Sequence, residues 1–403
     1  MRLLAKSYEQ KRHGTVPPDY ALLGRHTSDV VAACDALAVT VGRNALVNAG
    51  VSLDRFDRFR LLLKINGWIQ DLGKANSHFQ LMVTSEPQIT QLVRHETLSA
   101  ILVMLEPRMK QWLSPHAEGL LASVWGAAGH HRKFDERTLP QQASPMTLYA
   151  AHSDFASILA DMSTDLMLSP PPVFDRDLVV ARTRKESCDL PALESIRELQ
   201  DMFEDRESEF HSETQRRMLA LLKAFGIAAD VAASAVAARH RGSWEYSLAA
   251  YIQESLKVGL TPENLTQLIT NWAWSRSEVD RPTYGSGCFP PGFRVREFQD
   301  KVACSSSFLT LAQAGCGSGK SLAAYLWARR WCERYQDDDR RNFRLFVCLP
   351  TTGTTTEHFK DYALESGIDA SLTHSRSSVD LQAMAETAAQ EEAPETNDGA
   401  TLV

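Results

Sequence analysis

His26, Asp71, His95, His130, His131 and Asp154 each stand at the end of an apolar helical run. Imidazole nitrogens around a bridging carboxylate suit a pair of first-row divalent ions. Two such ions activate a water and clamp a phosphodiester for in-line displacement. The middle of the set is Gln70-Asp71-Leu72-Gly73-Lys74. There an acid arrives at the end of an amphipathic run, a glycine lets the backbone pass close to a site, and Lys74 is positioned to meet a phosphate. Asp71 and Lys74 are therefore the residues read as catalytic. Each member also has a plainer reading: Asp-Leu-Gly-Lys is an ordinary helix terminus, and a single His at a helix end is a cap or a surface residue. The metal reading rests on the set. His78 and His152 are left as surface or supporting residues.

A second chemistry lies in Ala314-Gly-Cys-Gly-Ser-Gly-Lys-Ser321. Glycines 315, 317 and 319 let backbone N–H groups turn inward around phosphate oxygens, with Ser318 among them, and the following helix adds its N-terminal dipole. Lys320 would reach the β- and γ-phosphates of ATP and Ser321 would hold magnesium. The alternative is a Gly-rich turn with a chance Lys-Ser. Upstream, Gln299 follows an aromatic and Arg294 to Glu297, the setting in which superfamily 2 helicases read the adenine edge. Downstream, Pro350-Thr351-Thr352 resembles the helicase turn whose hydroxyls and amides touch the nucleic-acid backbone. The plainer reading is an N-capped helix start, which Thr356 before Glu357-His-Phe would also satisfy.

These residues need particular elements behind them. Apolar periodicity predicts helices around Val30–Leu46, Phe56–Ile69, Leu92–Leu105 and Leu120–Ala128, with further helical patterning over 190–275. Strand-like alternation is nearly absent, so residues 1–279 read as an all-α domain with a helical extension. Turn formers over 280–292 read as a linker. Phe308 to Ala312 and Phe343 to Leu349 then read as strands flanking a helix, the opening of a RecA-like parallel α/β lobe over 293–376. The acidic, apolar-poor stretch 377–403 reads as a disordered tail.

Composition narrows the classes. The chain has 403 residues, 44% of them hydrophobic, enough for two or three buried cores. A net charge of −7 excludes nucleic-acid binding by bulk charge and leaves a local basic groove open. Seven scattered cysteines offer no zinc-finger or disulfide framework and fit a reducing compartment. No signal peptide is evident and no run approaches a membrane-spanning length, so a cytoplasmic location without membrane contact is expected.

The order of motifs resembles the CRISPR-associated nuclease–helicase of type I systems, an HD-type metal nuclease followed by a superfamily 2 helicase. The resemblance begins at Leu4-Ala-Lys-Ser7, passes through His26, Asp71-Leu-Gly-Lys74, His95, Gly129-His-His131 and Asp154, and resumes at Gln299, the phosphate loop and Pro350-Thr351. It implies that His26, Asp71, His95, His130, His131 and Asp154 are metal ligands and that the metal is Mn, Ni, Co or Fe. It further implies single-stranded DNA as substrate, ATP with magnesium at the loop, and a type I surveillance (Cascade) complex as partner. Two departures qualify it. Gln70 stands where the family reads His, so one metal is expected to bind well and the other weakly, with lowered or metal-selective activity. The sequence also stops before an Asp-Glu-x-His box, so a truncated helicase without unwinding activity of its own is expected. Two other classes stay open: an HD phosphohydrolase of small nucleotides, and a weak or inactive remnant acting only as a binding module.

Overall fold

The computed structural model describes residues 2–8, 14–84, 90–128, 137, 139–184, 187–206, 208, 211–239, 247–257, 259–279, 288–335, 343–364 and 370–372. Two compact units divide the chain, Met1–Ser255 and Leu256–Val403.

The first unit is built from helices α1 (Leu23–Leu37), α2 (Arg43–Asn48), α3 (Phe56–Ile69), α4 (Ser77–Thr84), α5 (His95–Leu105), α6 (Pro107–Trp112), α7 (Ala117–Ala128), α8 (Ser153–Asp165), α9 (Ala192–Asp205) and α10 (Glu213–Arg239). In α3 the buried residues Phe56, Phe59, Leu62, Leu63 and Ile69 recur at helical spacing and form one apolar face. Helices α3 and α10 touch each other, and both touch α1 and α7. Their close approach has a visible cause. Asn66 of α3 is buried and donates to Ser123 O at 3.0 Å. A Cβ at Gly126 would lie 2.7 Å from its Nδ2, and one at Gly226 2.4 Å from its Oδ1. Only bare backbone on α7 and α10 leaves room for the carboxamide.

The all-helical expectation needs one correction. β1 (Met146–Leu148) pairs antiparallel with β2 (Leu178–Ala181), which pairs parallel with β3 (Leu190–Pro191), a small mixed sheet. These strands are too short to leave a period-2 signature in the sequence. The reading that no run approaches membrane length is also corrected: Leu23–Asn48 and Glu213–Ala235 are long and apolar enough to cross a bilayer. Here α1 and α10 pack on each other in the core, and each carries a buried or half-buried ionisable residue of the site below.

In the second unit, α11 (Pro262–Trp274), α12 (Glu297–Ala303) and α13 (Lys320–Tyr335) share a core of Leu265, Leu268, Ile269, Ala303, Leu322 and Leu326. The units therefore part at Ser255 and not near residue 280, because α11 buries its apolar face against α13. Most of the expected linker and the acidic tail lie outside the described residues. The two expected strands do not form among the described residues. Phe308, Leu309, Leu311 and Phe346 are 82–93% exposed. A strand is stabilised by its neighbours in a ladder, and among the described residues these stretches form none: the second receives a single backbone hydrogen bond, from Leu260 N to Phe343 O at 2.8 Å.

Candidate metal centre

Asp71 sits just past the end of α3, where the chain tightens into a 3-10 turn at Leu72–Lys74. One hydroxyl fixes that turn: Ser99 Oγ donates to Gln70 O at 3.0 Å and accepts from Gly73 N at 2.8 Å. The turn lies directly on the start of α5. A Cβ at Gly73 would stand 2.1 Å from His95 O, so this position requires glycine. The sequence thereby brings the acid ending one helix to the imidazole that opens another.

Around Asp71 the distances are short. His26 Nε2, from the first turn of α1, is 3.0 Å from Asp71 Oδ2 and 3.2 Å from Asp230 Oδ1. Lys74 Nζ is 2.9 Å and His95 Nε2 3.5 Å from Asp71 Oδ1. The other ring nitrogen of His95 lies 3.3 Å from Glu96 Oε2, and Glu96 is held by Arg94 at 2.5 Å. A carboxylate behind a histidine orients the ring and raises its basicity. Phe79 packs edge-on against His95 and beneath the Lys74 ammonium.

His26, Asp71 and Asp230 offer three donor atoms within 4.8 Å of one another. An imidazole nitrogen and two carboxylate oxygens are a donor set for a first-row divalent ion. Despite the short separations, neither His26 Nε2 nor the Asp71 oxygens have an aligned hydrogen bond among the described residues. The adjacent Gln70 carboxamide is fully buried with both polar atoms unmatched among the described residues. Buried polar groups that converge without an aligned hydrogen bond need an outside partner. A divalent cation fits.

Electrostatics keep the carboxylates ready. Burial opposes ionisation of Asp71, but the Lys74 ammonium, His26 and His95 outweigh it and hold its carboxyl well below the usual range. Asp230 is likewise held low: burial and the Asp71 charge work against it, and the His26 contact and Lys74 prevail. Glu96, disfavoured by burial, is drawn below its ordinary value by His95 and Arg94.

Of the residues singled out in the sequence, His26, Asp71, Lys74 and His95 come together. His130 and His131 lie outside the described residues. Asp154 does not join the group among the described residues. Its Oδ2 accepts from Arg2 Nε at 3.0 Å and Leu3 N at 2.8 Å, so it fastens the N-terminal segment. The second acid is Asp230, which sequence reading missed. It lies within α10, one helical turn after Gly226, and so on the face that meets α3.

The phosphate-loop residues form a site of their own in the second unit. Gly317 and Gly319 have φ of 73° and 85°, left-handed values that glycine alone adopts freely. Lys320 Nζ donates to Ala314 O at 3.0 Å and Gly315 O at 2.8 Å. Gln299 is used within the loop: its Oε1 accepts from Arg296 N at 2.9 Å and its Nε2 donates to Gly319 O at 3.1 Å. Beside them is a cavity of about 440 Å³ whose lining includes Trp272, Phe293, Gln299, Lys320, Ser321 and Tyr362. Thr351 caps α14 (Thr352–His358), its side chain accepting from Thr354 N at 3.2 Å. The helix thus starts ahead of the cap expected at Thr356, which lies inside α14 and donates its hydroxyl to Thr352 O at 3.0 Å, and Thr352 is exposed.

The family model described as "Cas3, HD domain" matches residues 5–238. A curated relative, "Putative CRISPR-associated nuclease/helicase Cas3" of Myxococcus xanthus (strain DK1622), is 35% identical over 393 residues, 94% of this chain. The chain spans about half the length of that relative, 46%. No solved structure matches.

Proposed function

Because the chain belongs to the Cas3 HD-domain family, we propose that its first unit is a metal-dependent nuclease of CRISPR defence that hydrolyses phosphodiester bonds in single-stranded DNA. The observation carrying this reading is the convergence of His26, Asp71 and Asp230 as closely spaced donors on separate elements. His26, Asp71 and Asp230 would hold one ion. Asp71 and His95, with His130 and His131, are the residues proposed for a second. A bound divalent ion supplies a nucleophile from water at neutral pH and polarises a phosphoryl oxygen.

The chain's own groups prepare the site. Asp71 stays ionised at neutral pH, so ligand binding there displaces no proton from it. Lys74 partly balances its charge and stands beside the position where a phosphate would arrive. Glu96 orients His95 from behind. Ser99 and Gly73 hold the turn against α5 and keep Asp71 in register with His95.

We further propose that the second unit binds ATP and magnesium through Lys320 and Ser321, as the start of a RecA-like helicase lobe. Thr351 and Thr352 are candidates for backbone contact with DNA. A type I surveillance complex is the proposed partner and the cytoplasm the proposed location.

The test is cleavage of a labelled single-stranded oligonucleotide by the purified chain with Mn, Ni, Co or Fe, beside Asp71→Ala. Loss of cutting in the variant supports the reading. Silence of the wild type with metal demonstrably bound overturns it, and turnover of free nucleotides in place of DNA would move the chain to the small-nucleotide phosphohydrolases.

A further inference from the structure

The segment ahead of α1 is held by many hydrogen bonds. Arg2 and the Leu3 amide bind Asp154. Leu23 N donates to Leu3 O at 2.8 Å, and Ala5 N to Ala21 O at 2.8 Å. The buried Gln80 carboxamide clasps Leu4 on both sides, accepting from its N at 2.9 Å and donating to its O at 2.8 Å. The same Gln80 Nε2 donates to Lys74 O at 2.9 Å. This short strap is thereby tied to the start of the His26 helix and to the Lys74 turn.

The next residue along the strap is Lys6, half-buried. The charges acting most strongly on its ammonium are those of Lys74, Asp230, Asp29 and Asp71. The nearby cations differ in their commitments. Lys74 is ion-paired with Asp71 at 2.9 Å, and Arg25 with Asp29 at 3.1 Å. Lys6 makes no ion pair among the described residues. Burial and the Lys74 charge both push its pKa down, as expected for an ammonium kept beside another cation.

We propose that Lys6 binds a non-bridging oxygen of the DNA phosphate at the metal centre, as a further positioning residue of the nuclease reaction. The proposal rests on the nuclease reading above. A cation with its own carboxylate gains little by turning to a substrate phosphate, whereas an uncommitted one gains a charge-assisted hydrogen bond. The strap matters for the same reason. A lysine on a loose terminus would lose its freedom on meeting substrate; here the backbone is already ordered before DNA arrives. The competing role is structural, with Lys6 only offsetting the negative charge of Asp29, Asp71 and Asp230.

The two roles separate in one set of measurements on the full chain. Lys6→Met and Lys6→Arg are compared with wild type for cleavage of single-stranded oligonucleotides and, by calorimetry, for manganese binding. The expected result is KM for DNA raised about tenfold in Lys6→Met, with manganese stoichiometry and affinity unchanged and Lys6→Arg within about threefold of wild type. Unchanged KM in Lys6→Met, or tighter manganese binding as the only effect, overturns the assignment and leaves the nuclease reading intact. A wild type that binds manganese and cuts nothing removes both.

Discussion

Asp230 Oδ1 lies 3.2 Å from the ring nitrogen of His26, and the contact joins the last long helix of the first unit to its first. Asp71 completes the group from the end of α3. Replacing Asp230 by Ala should lower divalent-metal affinity by on the order of a hundredfold, since a ligand is lost outright. Asp154→Ala should leave metal affinity unchanged. It should instead cost about 1–2 kcal/mol of stability, chiefly from the Leu3 amide, because the Arg2 contact is exposed and screened. Calorimetric metal titration and urea unfolding of the two variants distinguish these outcomes.

The contrast between those two aspartates shows what the sequence conveys and what it hides. His26, Asp71 and His95 were legible because each opens or ends an apolar helix, where side chains point toward a junction. Asp154 shares that position, at the start of α8, yet it serves the backbone of Leu3. Asp230 lies in the interior of Ala228-Ala-Asp-Val-Ala-Ala233, where a search of helix ends does not look. Its signal was chemical: a lone acid in an apolar helix, one turn after a glycine that permits close packing. In the second unit, the composition of 308–312 and 343–349 gave strand propensity, but a strand also needs a partner edge.

The depressed carboxyls of Asp71 and Asp230 set a pH dependence for the metal-free protein. A folded-state pKa below the ordinary 3.8 means that the stabilisation is fully present above about pH 4. It is lost as pH falls further, through the folded values. Thermal melts in chelator should therefore show an acid-side loss of stability below about pH 4. Asp71→Asn should flatten that loss. An unchanged acid limb in the variant would mean that other carboxyls govern it.

Gln70 supplies a prediction about metal number. Its carboxamide is fully buried beside Asp71 and unmatched among the described residues, and an amide oxygen is a weaker donor than imidazole for nickel or cobalt. Gln70→His should raise cobalt affinity by about tenfold and bring the stoichiometry to two ions per chain. The visible absorption of bound cobalt reports both. If the variant binds the same number of ions with the same affinity and spectrum, position 70 does not face the metals.

The phosphate loop can be tested apart from the metal centre. Lys320 Nζ holds Ala314 O and Gly315 O, so an arriving nucleotide must draw the ammonium away from two loop carbonyls toward its phosphates. That exchange is favourable because a phosphate oxygen is charged and a carbonyl is not. Lys320→Ala should weaken binding of a fluorescent ATP analogue by about tenfold or more, and removing magnesium should weaken wild-type binding through loss of the Ser321 contact. Gly319→Ala should also fail to bind, for another reason: φ is 85° there, and a Cβ would lie 2.3 Å from Gln299 Nε2. Metal binding by the first unit should be unaffected in both variants. Equal nucleotide affinity in wild type and Lys320→Ala would reduce the motif to a glycine-rich turn, because a loop that cradles phosphate cannot lose its only lysine without consequence.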